Sequence, residues 1–70
     1  MYKLKLSKEE LKTILKQNKK TQKQIAEIIG VHRTYISQIV GSRGVSKLCA
    51  YAFCKAISPE FEIENLFIKI

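Results

Sequence analysis

The sequence predicts a mainly α-helical domain of four to five short helices, with a small two-stranded β ribbon formed by the chain termini. Three observations carry this. Apolar residues recur at helical spacing through most of the chain between Ser7 and Ile57. Ser, Thr and Gly residues interrupt that pattern where helices start and stop. The two ends, "YKLKL" and "LFIKI", read instead as strands with one apolar face. At 70 residues one domain, 1–70, is expected, with a stability of roughly 3–5 kcal/mol.

Each element follows from local chemistry. Tyr2, Leu4 and Leu6 alternate with Lys3 and Lys5 in the first strand. Ser7 and Glu10 then make a capping box, S-x-x-E, that satisfies the free amides of a new helix. Leu11, Ile14 and Leu15 are its apolar stripe, and it should end near Asn18, which tolerates a left-handed terminal conformation. Thr21 and Gln24 form a second capping box; Ile25, Ala26, Ile28 and Ile29 supply the buried side of the helix they open. Gly30 stops that helix, because glycine reaches positive φ without a Cβ penalty. A third helix runs from about His32 to Val40 and ends at Gly41. A fourth, from about Ser46 to Ile57, is apolar nearly all round, as for a helix packed on several sides. Ser58-Pro59 reads as an N-cap followed by proline at the first helical position, opening a short helix with Ile63, Leu66 and Phe67 inward. The terminal strands pair either with each other or across a dimer.

Composition narrows the function. Residues 1–47 hold eleven basic and three acidic side chains, a balance of +8, whereas residues 48–70 balance to −1. A basic front suits a polyanion; a lysine-rich solubilising surface explains the charge alone equally well. On a shared helix Cys49 and Cys54 are ~7.5 Å apart in rise and ~140° apart in rotation, so they do not bridge. With His32 the sole histidine, metal ligands are lacking. Free thiols, no targeting segment and no span long enough for a bilayer give a cytoplasmic expectation. There is no aspartate and no activated nucleophile, so an enzyme, a cofactor and a small-molecule substrate are not expected.

The glycine at position 30 has a specific use. Two helices joined by a short turn with glycine form a helix-turn-helix, here residues 21–41. Close approach needs a small residue, Ala26; the turn needs positive φ, Gly30; Ile25, Val31, Ile36 and Ile39 hold the angle. With Gln22 these residues give Q-x₃-A-x₃-G-V-x₄-I-x₂-I, which resembles the helix-turn-helix domains of phage Cro and CI-type (XRE-like) repressors. The resemblance implies a lambda-repressor-like domain, and it carries a phosphate-contacting role onto Gln22. The terminal strands depart from the all-helical repressor domains and look more like Cro-type proteins or small phage modulators.

On the third helix, Ile36, Ile39, Val40 and Tyr35 fall within roughly 80° of His32 and make the core side. Arg33, Thr34, Ser37 and Gln38 lie roughly 100–240° round and project outward. Arg33 suits guanine O6 and N7, Gln38 suits adenine N6 and N7, and Thr34 offers a methyl to thymine. A surface or phosphate role is the alternative for each of Arg33 and Gln38, and cap or filler for Thr34 and Ser37; His32, at the helix start, suits reading a base and equally capping or touching phosphate. Lys19, Lys20 and Lys23 surround Gln22 as phosphate grips, joined by the Tyr35 hydroxyl and by Ser42 and Arg43 beyond the third helix.

The expected partner is an operator in double-stranded DNA. A single module buries only about 600–1,000 Å² on DNA, so a homodimer on half-sites ~34 Å apart is expected, with Phe61, Ile63, Phe67, Ile68 and Ile70 as candidate dimer surface; ordinary intrachain core is the alternative, above all for Phe67. A phage or mobile-element switch is the expected setting. The alternative is an antirepressor that binds another repressor protein through the same basic face.

Overall fold

A computed structural model describes residues 1–41 and 43–70. The order is β1 (Tyr2–Leu4), α1 (Lys8–Gln17), α2 (Gln22–Ile29), α3 (Arg33–Val40), α4 (Lys47–Ile57), α5 (Ile63–Leu66) and β2 (Phe67–Lys69). The mainly helical expectation holds, and so does the ribbon. β1 and β2 pair antiparallel within the chain, with Tyr2 opposite Lys69, Lys3 opposite Ile68 and Leu4 opposite Phe67. A second anchor fixes β1 from its other side: Tyr2 and Val45 exchange both backbone hydrogen bonds at 2.7 Å. Such a short ribbon is marginal alone, and it is held by burial of Leu4, Val45, Leu66 and Phe67 in the common core.

The helix starts follow the sequence signals. Both capping boxes form: Ser7 with Glu10 and Thr21 with Gln24, each hydroxyl accepting the third-residue amide while the glutamate or glutamine accepts the cap's own. The Ser7 backbone amide, then its hydroxyl, hold the Glu10 carboxyl below its usual value. Ser46 caps α4 through the Cys49 amide.

The end of α1 differs from expectation. Asn18 sits at φ −97°, not left-handed, and the positive φ of 55° falls on Lys19. Asn18 instead sends its side-chain amide back to the Ile14 carbonyl at 2.8 Å. Lys19 N–H then donates to Lys16 O and Lys20 N–H to Leu15 O, the paired closure in which one residue past the cap turns left-handed. For a lysine that conformation costs about 1 kcal/mol.

Three further expectations are corrected. Ile28 is 58% exposed, since it lies outside the arc of Ile25, Ala26 and Ile29 that faces α3 and α4. α4 is covered on one side only: Ala50, Phe53, Cys54, Ala56 and Ile57 are buried, whereas Leu48 is 78% and Tyr51 46% exposed. Ser58 ends α4 rather than opening a helix; Pro59 and Glu60 form a turn, and α5 starts at the Glu62 cap, where Asn65 Oδ1 accepts the Glu62 amide at 2.7 Å. Phe67 lies in the core as its inward placement predicts, stacked edge-on against Phe53 with centroids 5.6 Å apart.

No helix among the described residues is long and apolar enough to cross a membrane.

Candidate nucleic-acid interface

The site is built on the turn between α2 and α3. Gly30 stands at φ 88°, and both its own amide and that of Val31 donate to the Ala26 carbonyl, at 2.8 and 2.9 Å. This closes α2 and turns the chain. Val31 packs half-buried against the core, and Ile25, Ile36 and Ile39 are fully buried. Those contacts lock α3 to α2, so the outward face of α3 is set by rigid packing rather than by a loop.

That face carries the four residues singled out from the sequence. Arg33, Thr34, Ser37 and Gln38 are all exposed, with the core stripe of Ile36 and Ile39 on the opposite side. Arg33 sits at the mouth of a cleft between α2 and α3, lined also by Lys23, Glu27, Val31 and His32.

His32 differs from its expected position on the core side. It is exposed and caps α3: its Nδ1 accepts the Thr34 amide at 3.1 Å and lies 2.9 Å from the Thr34 hydroxyl. A cap residue precedes the helix and adopts extended backbone, here ψ 149°, so extrapolating the helical rotation to it placed it wrongly. Capping leaves Nε2, with its hydrogen, pointing away from the amide it serves. Thr34 keeps its methyl free while its hydroxyl is committed to His32.

Tyr35 is half-buried, and its hydroxyl lies 3.2 Å from Cys49 Sγ on α4. That hydrogen bond, and next burial, raise the phenol above its ordinary value. A phosphate contact by this hydroxyl would require the bond to Cys49 to break. Arg43 lies over the Tyr35 ring, 4.8 Å from the centroid. Its amide donates to the Gln38 carbonyl at 3.0 Å, and its guanidinium donates to Gln38 Oε1. Ser42, the other expected contact of this loop, lies outside the described residues.

Of the residues expected to grip phosphate, Gln22 and Lys20 lie together at the amino end of α2. The Gln24 amide is taken by the Thr21 hydroxyl and the Ile25 amide by the Thr21 carbonyl, which leaves those of Gln22 and Lys23 at the positive end of the helix for an anion. Gln22 is half-buried, bordered by Lys12, Lys16 and Lys20 on one side and by Lys8 and Glu9 on another. Lys12 and Lys16 were not among the residues expected here. Their four-residue spacing puts them on one face of α1, but only the packing of α1 beside α2 shows which way that face looks. The one ion pair among the described residues, Lys55 with Glu62 at 3.2 Å, lies at the other end of α4. None of the lysines bordering Gln22 forms an ion pair among the described residues.

Residues 11–40, from within α1 to the end of α3, match the helix-turn-helix family model. No curated protein and no solved structure gives a significant match. The match supports a helix-turn-helix of the kind found in DNA-binding transcription regulators over those residues.

Proposed function

We propose that this protein is a sequence-specific regulator that lays α3 in the major groove of an operator. The observation that carries the reading is the outward face of α3: Arg33, Thr34, Ser37 and Gln38 are exposed together, with Lys23 in the cleft beside Arg33. Arg33 reads guanine, Thr34 and Ser37 permit close approach, and Gln22, Lys19, Lys20 and Lys23 grip phosphate beside the amino end of α2. His32 contributes by fixing the first turn of α3.

A homodimer completes the operator complex. The longest dimension of one copy is 29 Å, short of the ~34 Å between successive grooves on one face of DNA. Ile68 and Ile70 of the expected dimer surface are exposed, and Phe61 and Ile63 are partly so. A phage or mobile-element switch is the setting this small repressor-like architecture fits.

The test is a gel shift on the intergenic DNA flanking the gene, over a range of salt. With about five phosphates contacted, log K falls against log salt with a slope near −4 to −5. Arg33→Ala costs ~1–3 kcal/mol and relaxes one base position. Unchanged operator binding by that variant refutes the role of α3. A free protein that shifts no DNA yet forms a stoichiometric complex with a neighbouring repressor establishes the antirepressor reading instead.

A further inference from the structure

Gln38 does not stand alone on the face of α3. Its side-chain amide is engaged by the Arg43 guanidinium, and a guanidinium only donates, so the group facing it is the amide oxygen. Arg43 is placed there by two other contacts: its backbone amide on the Gln38 carbonyl at 3.0 Å and its guanidinium over the Tyr35 ring at 4.8 Å. Tyr35 is itself tied to α4 through Cys49. The arginine is therefore pre-positioned beside Gln38 before any DNA arrives.

From this arrangement we infer that Gln38 and Arg43 read one base pair together, as a fork of donors that selects guanine. The inference rests on the proposal that α3 reads DNA. Free glutamine suits adenine because its oxygen accepts from N6 while its nitrogen donates to N7. Here the oxygen is committed. It retains a second lone pair, but a base donor brought to it meets the donors and positive charge of the guanidinium alongside. What the pair offers to a groove is the Gln38 NH₂ and the remaining guanidinium N–H groups, all donors. Among the major-groove edges only guanine presents two acceptors, O6 and N7; adenine mixes one acceptor with one donor, thymine offers one acceptor, and cytosine offers a donor. This reverses the adenine preference expected for Gln38 from its residue type. It also moves Arg43 from phosphate grip to base reader.

The experiment is selection of binding sites from randomised duplex DNA by the wild-type chain, Arg43→Ala and Gln38→Ala. Both side chains are exposed, and unfolding midpoints confirm that the variants fold. Wild type is expected to enrich guanine at one position of each half-site. Arg43→Ala releases the Gln38 oxygen and swings that same position towards adenine, by roughly tenfold in relative affinity. Gln38→Ala weakens the preference at that position and no other. If Arg43→Ala instead weakens all sequences alike and flattens the salt slope by about one, Arg43 is a phosphate contact and the inference fails. It fails equally if the two variants alter different positions. A wild-type chain that enriches no sequence overturns the DNA-reading proposal, and this one with it.

Discussion

Replacing Gly30 by alanine isolates the conformational reason for the turn between α2 and α3. Gly30 has φ +88°, and a Cβ built on it meets nothing within 4 Å. Sterics with neighbours therefore contribute nothing, and the whole cost is that of holding an L-residue in a left-handed conformation, roughly 1–2 kcal/mol. Alanine also restricts the unfolded chain, which returns ~0.4–1 kcal/mol. The expected net loss is about 1 kcal/mol, read as a lower urea midpoint at unchanged slope. Gly30→Asn should lose less, because asparagine visits this region more readily than alanine. Two results refute the reasoning. A loss above about 3 kcal/mol would mean that the added methyl does collide with α3 or α4. No loss in either variant would mean that the turn does not require positive φ in solution.

Three further predictions follow from particular residues. Ile36 is fully buried between α3 and the core, so Ile36→Ala should cost ~2–5 kcal/mol, much of what a chain this size has; a loss below 1 kcal/mol by urea unfolding would contradict the register of α3. Lys19→Gly relieves φ 55°, worth about 1 kcal/mol, but loosens the unfolded chain by ~0.4–1 kcal/mol, so it should stabilise by no more than about 0.5 kcal/mol, yet flatten the salt slope of DNA binding by about one if Lys19 grips phosphate; stability and slope are measured on the same variant. Burial pushes the Cys54 thiol up from 9.0 to about 11, and Cys54 is wholly buried. The unfolded thiol ionises first, so this contribution is fully present below pH 9 and is lost as pH rises through about 11, by on the order of 2–3 kcal/mol. A stability difference between wild type and Cys54→Ala that stays flat from pH 8 to 11 would contradict this.

The positions of the helices were legible in the sequence because their signals are local. Ser7 with Glu10 and Thr21 with Gln24 satisfy amides within three residues of themselves, and Gly30 answers a demand of its own backbone. The outward set of Arg33, Thr34, Ser37 and Gln38 could also be read, since one buried stripe on an eight-residue helix leaves only one side for polar groups. Local pattern was less informative where two outcomes share it. The apolar run of α4 reads as buried all round, although Leu48 and Tyr51 face outward. Ser58-Pro59 suits a helix start as well as a turn, and the competing cap at Glu62 and Asn65 prevailed.

By itself the sequence determined the helix-turn-helix, the polar face of α3 and the strand character of the two ends, because each depends on spacing along the chain; that the ends pair within one chain came from the fold. Tertiary structure alone decided which arc of each helix is covered, that Lys12 and Lys16 border Gln22, and that Arg43 occupies the oxygen of Gln38. Those outcomes depend on elements distant in sequence meeting in space, and residue type sets what a side chain can donate or accept while its neighbours set what it has left to offer.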